Sequence, residues 1–211
     1  MKLAADSAFL SKPDYYLWPR TPTANLQAEI WQRVGVSDHM MYDCRSRPSK
    51  IIRMLHQLID NKLLREDFNL LDICCGDAVI LTHIQRSFPD AHCYGIDLNA
   101  WEYADHSDAF EEGVELYAIP MQILFQRPAP VQLDVCVMLN TYRSWDAADL
   151  RLHERNLPYL ADDWFKQNSK YTILTVTPSQ NKRLRRKGFW VIGMGRGEDD
   201  SEMVCVFTCE K

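Results

Sequence analysis

Residues 69–99 (NLLDICCGDAVILTHIQRSFPDAHCYGIDLN) constrain the fold of this chain more than any other stretch, because two apolar runs flank a turn and a helical pattern. The first run, residues 70–74, contains one acid and is typical of a parallel strand buried on both faces. Gly76 lets the backbone turn sharply and lets a ligand approach it closely. Apolar residues then recur at helical spacing as far as Pro89, and a second apolar run ends at Asp97. In open α/β sheets ligands bind at this edge, where an acid can accept hydrogen bonds from a ribose.

The rest of the chain alternates between strand and helix patterns. Apolar runs with β-rich composition predict further strands at 114–119, 131–139 and 170–177, and a closing hairpin at 188–194 and 203–209. The connection between the last two runs is polar and contains glycine, as hairpin turns do. Amphipathic patterns predict helices at 25–34, 49–63, 100–112 and 146–168, the last of them kinked or divided at Pro158. The chain is therefore predicted to form seven strands, five alternating with helices and two in a hairpin.

Two motifs in this chain resemble those of the class I S-adenosylmethionine (SAM)-dependent methyltransferases. The first is Asp72-Ile-Cys-Cys-Gly-Asp77-Ala and the second is Gly95-Ile-Asp97-Leu-Asn99, although Cys74 and Ala78 stand where the family often has glycine. The resemblance implies an α/β fold: a three-layer Rossmann-like sandwich with a mostly parallel seven-stranded sheet and a C-terminal antiparallel hairpin. It also implies SAM as cofactor and S-adenosylhomocysteine as product. An ordinary strand-turn-helix unit without a ligand is the alternative.

The resemblance also implies which residues hold the cofactor. Asp97 would bond the ribose hydroxyls, the backbone of residues 74–76 would approach the methionine part, and Asp72 would orient the turn or accept from the cofactor amine. The family often has an acid after the third strand for the adenine amine, but residues 118–121 contain none, which leaves the Met121 backbone or the Gln122 side chain. Before the first strand, an aromatic residue or an arginine often reaches the methionine carboxylate. The predicted cofactor-binding residues are Asp72, Cys74, Cys75, Gly76, Asp97, Leu98, Met121, Asn140, Tyr42 and Arg47. Solvated arginines (Arg45, Arg47) and a packed Tyr42 are an equally good interpretation.

The acceptor side of the site is predicted from residues 140–145, which follow the fourth strand at its carboxyl end. Polar and aromatic side chains there face both cofactor and substrate, so Tyr142, Arg143 and Trp145 are the predicted substrate residues. The alternative is that Tyr142 and Trp145 merely pack. An oxygen acceptor usually needs a base, and the candidates are Tyr142, His153, Asp146 and His106. A small-molecule acceptor is favoured, with oxygen slightly preferred, because the Asn-Pro-Pro-aromatic signature of amino-group nucleic-acid methylation is missing from the sequence.

Composition narrows the class of protein. The 211 residues suit one α/β domain at 49–211, with residues 1–48 as an extension and a helix that pack on it. The longest apolar run is shorter than a membrane span. Seven cysteines, mostly within predicted strands and without a CxxC pair, predict reduced buried thiols in the cytoplasm and no zinc or redox motif. The formal net charge of −5 argues against dominant nonspecific nucleic-acid binding.

Two other functions remain open from the sequence. The chain could be a catalytically silent methyltransferase-like scaffold, which the substitutions at Cys74 and Ala78 would permit. It could also act on RNA through the basic run at 181–187, which contains Arg183, Arg185, Arg186 and Lys187. A solvated helix between two strands is the commoner meaning of such a run.

Overall fold

Seven strands form a single mixed sheet in the computed structural model, which describes residues 47–97, 109–119, 121–129, 131–139, 141–144, 157–196 and 203–209. The strands are β1 Asn69–Ile73, β2 His92–Ile96, β3 Glu115–Tyr117, β4 Leu133–Met138, β5 Ser169–Val176, β6 Trp190–Arg196 and β7 Met203–Thr208. Their order across the sheet is β3-β2-β1-β4-β5-β7-β6. The first five strands pair in parallel, and β7 is antiparallel to both of its neighbours. The predicted fold class is confirmed.

Helices cover both faces of the sheet. They are α1 Arg47–Asp60, α2 Val79–Ser87, α3 Met121–Leu124, α4 Thr141–Ser144, α5 Leu157–Asn168 and α6 Pro178–Arg186. Successive side chains of a strand point to opposite faces, so Leu70 packs with α1 and α2 whereas Leu71 packs with α5 and α6. These two apolar clusters are the two cores of a three-layer sandwich.

The sequence accounts for the starts of α5 and α6. Thr177 caps α6 in a reciprocal capping box with Gln180, and Pro178 occupies the first turn, where its missing N–H needs no partner. Pro158 lies in the first turn of α5 for the same reason. The part of the predicted 146–168 helix that precedes α5 is outside the described residues, as is the predicted 100–112 helix except for its last residues. The sequence missed α3 and α4, because four-residue helices are too short to show a period.

The first described helix, α1, runs in the opposite direction to the parallel strands. The backbone carbonyl of Leu63, after α1, accepts a hydrogen bond from the Tyr171 hydroxyl near the start of β5 (2.9 Å). Met54, in the middle of α1, lies against Gly195 near the end of β6. The helix therefore begins at the carboxyl edge of the sheet, where β2 ends at Asp97. No helix in the described ranges has the length and apolar character of a membrane span.

Candidate functional site

The turn after β1 is held in place by the end of β2. The backbone N–H groups of Cys74 and Cys75 both donate to the Ile96 carbonyl, at 2.7 and 3.2 Å. Within this turn every second residue is left-handed, with φ of 61° at Cys74, 57° at Gly76 and 59° at Ala78. A left-handed residue that carries a Cβ costs about 1–2 kcal/mol, so the surrounding contacts hold the turn in this shape against local strain.

Gly76 and Asp97 connect the turn to the carboxyl edge. The Gly76 N–H donates to the Asp97 carboxylate at 3.1 Å, and the Asp97 N–H donates to the Tyr117 carbonyl at 3.1 Å. A Cβ placed on Gly76 would meet no atom within 4 Å, so the backbone here borders open space. The structure thus brings the predicted glycine and acid together at one rim of the sheet.

A second carboxylate lies beneath this rim. Asp72 is only 3% exposed, and burial, followed by the nearby charge of Asp97, raises its pKa well above the usual value for aspartate. Burial and the Asp97 charge both disfavour the ionised form of Asp72, and a cationic group bound beside the two carboxyl groups would offset these effects. The rim is therefore suited to a ligand that carries an ammonium or a sulfonium charge.

Sulfur atoms line the turn. The Cys74 thiol lies 3.6 Å from the Met121 sulfur in α3. Burial, and after it the charge of Asp97, raises the pKa of the Cys74 and Cys75 thiols well above the usual cysteine value, and a Thr141 hydrogen bond lowers that of Cys74 by a smaller amount. Protonated thiols are poor nucleophiles, so these cysteines form a wall of the site. Thr141 was missed from the sequence, because only the pairing of β4 with β1 brings it beside Cys74.

Gly95 allows β2 to pack closely beneath the turn. A Cβ at this position would lie 2.5 Å from Leu116, 2.8 Å from the Cys75 sulfur and 2.8 Å from Leu81. Any larger residue would displace the turn or α2, so the predicted second motif has a packing role in addition to its acid.

The Tyr142 side chain belongs to a buried polar cluster beside the site, which we call the α4–α6 cluster (Tyr142, Asp162, Gln180, Arg183 and Lys187). Its hydroxyl donates to the Asp162 carboxylate and accepts from Arg183 at 2.8 Å. Gln180 donates to the backbone carbonyl of Tyr142 at 2.8 Å. Arg183 and Lys187 each lie 3.3 Å from the Asp162 carboxylate as ion pairs. Burial, and then the Asp162 charge, raises the pKa of Tyr142. The phenol is therefore neutral and turned towards Asp162, which favours the packing alternative for Tyr142.

The predicted site residues fall into two groups. The structure brings together Asp72, Cys74, Cys75, Gly76, Asp97 and Met121 at the carboxyl edge. Arg47 begins α1 at that edge, and Arg143 lies in α4. The remaining predicted residues lie outside the described residues: Tyr42, Leu98, Asn140, Trp145, Asp146, His153 and the further base candidate His106. Within the described ranges, no three His, Cys, Asp or Glu side chains lie close enough to hold a metal ion.

No protein-family model matches the sequence, and no curated protein matches it significantly. Solved structures match its fold. The bifunctional kinase-methyltransferase WbdD aligns with a TM-score of 0.56 at 13% identity, covering 79% of this chain and 39% of WbdD. The proposed RNA methyltransferase PH1948 of Pyrococcus horikoshii aligns with a TM-score of 0.54 at 12% identity, covering 77% of this chain and 81% of PH1948. The fold is that of the class I methyltransferases.

The predicted resemblance is thus confirmed at the level of the methyltransferase fold. The fibrillarin pre-rRNA processing protein of Methanococcus jannaschii also shares it, with a TM-score of 0.52 at 12% identity, covering 68% of this chain and 67% of fibrillarin. The chain spans about two fifths of WbdD, 39%. In this fold the Gly76 turn and Asp97 lie where β1 and β2 end, at the carboxyl edge of the sheet, where open α/β sheets generally bind ligands.

Proposed function

We propose that this chain is a SAM-dependent methyltransferase whose cofactor binds at the Gly76 turn and Asp97. The observation that carries the proposal is the hydrogen bond from the Gly76 N–H to the Asp97 carboxylate (3.1 Å), which sets an acid beside a bare, left-handed backbone. Such a backbone admits the close approach of a ligand, and such an acid accepts from ribose hydroxyls. On this ground Gly76 and Asp97 fit the cofactor.

In this proposal each residue at the rim has its own task. Asp97 bonds the ribose, the backbone of residues 74–76 faces the methionine part, and Asp72 favours the positive charge of the cofactor. SAM, when bound, supplies a methyl group that its sulfonium already activates. The protein's contribution is then to hold acceptor and cofactor in line and to exclude water.

The proposed acceptor is a small molecule that presents an oxygen nucleophile. The net charge of −5 and the pairing of Arg183 and Lys187 with Asp162 leave less basic surface for nucleic acid. The Tyr142 phenol, with its raised pKa, is a poor base at neutral pH. Asp146 and His153 therefore remain the proposed bases, and Arg143 and Trp145 the proposed substrate contacts. The buried thiols of Cys93, Cys136 and Cys205 support the cytoplasm as the proposed location.

Calorimetric titration with SAM and with S-adenosylhomocysteine tests the cofactor site directly. Micromolar binding of either is expected, and Asp97→Ala should abolish it because the ribose loses its acceptor. Asp90→Ala, an acid in an exposed turn on the opposite edge, is the matched control and should bind normally. If Asp97→Ala bound SAM or S-adenosylhomocysteine with near-normal affinity, Asp97 would not be the residue that bonds the ribose. If the well-folded wild-type protein bound neither ligand, the alternative of a catalytically silent scaffold would be favoured.

RNA methylation is the second candidate, because Arg185 and Arg186 are exposed on α6. If RNA is the acceptor, its binding should weaken steeply as salt rises, and Arg185→Ala with Arg186→Ala should flatten that dependence. Salt-insensitive or undetectable RNA binding would leave the small-molecule acceptor in place.

A further inference from the structure

The Asp72 carboxyl group is buried without a polar partner in the part of the chain that the structure describes. The residue is 3% exposed, and no hydrogen bond or ion pair within the described ranges engages its carboxyl oxygens. These oxygens are not among the fully enclosed polar atoms that lack a partner, so the small exposed area lies at the carboxyl group itself. Buried polar groups normally have hydrogen-bond partners, whereas this one is left with a small opening.

The register of the sheet places Asp72 and Asp97 on the same face. Asp72 pairs with Gly95 of β2, and Asp97 follows Gly95 by two positions while its N–H still bonds β3 at Tyr117. Because side chains alternate along a strand, both carboxyl groups point to the face that α1 and α2 cover. They are therefore neighbours at the edge where the cofactor is proposed to bind.

The groups that act on Asp72 do not include a cation in the described part of the chain. Burial comes first and the Asp97 charge second in raising its pKa. The ionisable groups around it are otherwise thiols, whose pKa values burial raises and the Asp72 charge raises further: Cys74, Cys75, Cys93 and Cys136. The helices on this face have five basic residues with described side chains, and none of them acts on the Asp72 pKa: Lys50, Arg53, His56, His83 and Arg86. An ionised Asp72 thus has no compensating charge from these side chains.

We propose that Asp72 distinguishes SAM from S-adenosylhomocysteine by charge, being ionised beside bound SAM and protonated in the empty protein and beside the product. The two ligands share all their other charged groups and differ by one methyl group and the positive charge of the sulfonium. In a site of low dielectric such a charge favours an ionised carboxylate without direct contact. SAM binding therefore releases a proton from Asp72, and loss of the sulfonium charge lets the proton return, which favours exchange of product for SAM. This inference rests on the proposed cofactor site.

Calorimetric titration in buffers of different ionisation enthalpy counts the protons that each ligand releases on binding. Relative to Asp72→Asn, the wild type should release up to about one proton more with SAM than with S-adenosylhomocysteine, at a pH below the raised pKa of Asp72. The ratio of the two affinities should rise in favour of SAM by at least about tenfold as the pH increases above 3.8. In Asp72→Asn only the titration of the ligands themselves should remain, and this contribution is common to both proteins.

Cys93→Ala is the matched control. Cys93 is a second proton-bearing group on this face, 2% exposed, and burial raises its pKa to about 12. A thiol that stays protonated supplies no proton, so this variant should release protons as the wild type does. Carbon NMR of the wild type, labelled at its aspartate carboxyl carbons, observes the event without a substitution. One carboxyl group should titrate above 3.8 in the empty protein and the product complex, and at lower pH in the SAM complex.

The outcomes separate this inference from the cofactor site. If both ligands bind but the extra proton is released by wild type and Asp72→Asn alike, or by neither, Asp72 does not sense the sulfonium charge, and the cofactor site stands. The same conclusion follows if the NMR titration is identical in the two complexes. If the wild type binds neither ligand, the cofactor site is overturned and this inference with it.

Discussion

At the scale of single residues, the turn at 74–78 shows how strain and ligand access are combined. Cys74 and Ala78 adopt the left-handed conformation that Gly76 adopts without a steric cost. The turn keeps its shape because the Ile96 carbonyl and the Asp97 carboxylate hold its N–H groups. Contacts from the end of β2 therefore hold the turn in this shape although Cys74 and Ala78 each carry a Cβ.

Gly76→Ala separates the effect of strain from the effect on binding. The new Cβ would meet no atom within 4 Å but would face the open space of the site. We expect a loss of about 1 kcal/mol in stability from the left-handed backbone and a loss of affinity for S-adenosylhomocysteine of at least about tenfold. Gly113→Ala is the matched control, since Gly113 is also left-handed (φ 88°) and open. Urea denaturation should show similar stability losses, and calorimetry should show weaker binding only for Gly76→Ala. If Gly76→Ala and Gly113→Ala bound S-adenosylhomocysteine with equal affinity, the cofactor would not bind at the Gly76 turn.

Asp72→Asn tests the buried carboxylate through pH. Because folding raises the pKa of Asp72 above its usual 3.8, the folded state binds this proton more tightly than the unfolded state does. The contribution of Asp72 to the free energy of unfolding therefore falls as pH rises from that value through the raised pKa. Asp72→Asn lacks this loss, so its stability relative to the wild type should increase as the pH rises above 3.8. Urea denaturation across this range is the measurement. A stability difference between Asp72→Asn and the wild type that stays constant with pH would contradict the burial argument.

At the scale of secondary-structure elements, the α4–α6 cluster fastens the end of β4 to two helices. Asp162 is fully buried and faces Tyr142, Arg183 and Lys187 from α4 and α6. Arg183 also lies over the Tyr142 ring, 5.6 Å from its centroid. α4 follows the end of β4, which borders the proposed site. The cluster therefore fixes the position of α4, which contains the predicted substrate residues Tyr142 and Arg143.

Asp162→Ala should destabilise the protein by about 3 kcal/mol, because it removes the carboxylate partner of the partly buried Arg183 and leaves Lys187 with Asp163 alone. Tyr142→Phe removes hydrogen bonds but keeps the ring, and should cost about 1–2 kcal/mol. The neighbouring Asp163, whose side chain is 65% exposed and also pairs with Lys187, provides the control: Asp163→Ala should cost less than about 1 kcal/mol. Urea denaturation ranks the three variants. If Asp162→Ala were no worse than Asp163→Ala, the cluster would not support the fold.

At the scale of the whole molecule, cofactor binding should stabilise the fold as a unit. The Gly76 turn and Asp97 join β1, β2 and α2, so a ligand that binds there binds only the folded chain. At a hundredfold excess over its dissociation constant, S-adenosylhomocysteine should add about 2.7 kcal/mol, which raises the unfolding temperature by roughly 5–10 °C. Thermal scans with and without the ligand measure the rise, which Asp97→Ala should lose. A wild-type protein whose unfolding temperature is unchanged would contradict the proposed site.

Most of the architecture could be predicted, because apolar period and turn residues are local signals. The run at residues 70–74 and the helical spacing after Ala78 correspond to β1 and α2, since burial on two faces or on one stripe leaves its mark in neighbouring residues. The short helices α3 and α4 and the contact of Thr141 with Cys74 left no such mark. They depend on strands that meet only after the chain has folded.

The sequence by itself determined the seven-stranded α/β architecture, because the apolar period of strands and helices is a local signal. It also predicted Gly76 and Asp97 as the centre of the proposed site, because a turn glycine and a strand-end acid can be recognised within residues 69–99. Only the tertiary structure decided that Gly76 donates to Asp97 across 21 positions and that Tyr142 turns to Asp162 across 20. It also decided that β6 is the last strand of the sheet in the part of the chain that the structure describes, with Trp190, Ile192 and Met194 exposed. The physical reason is that burial and hydrogen bonding between distant residues depend on which elements become neighbours, and no local pattern encodes that choice.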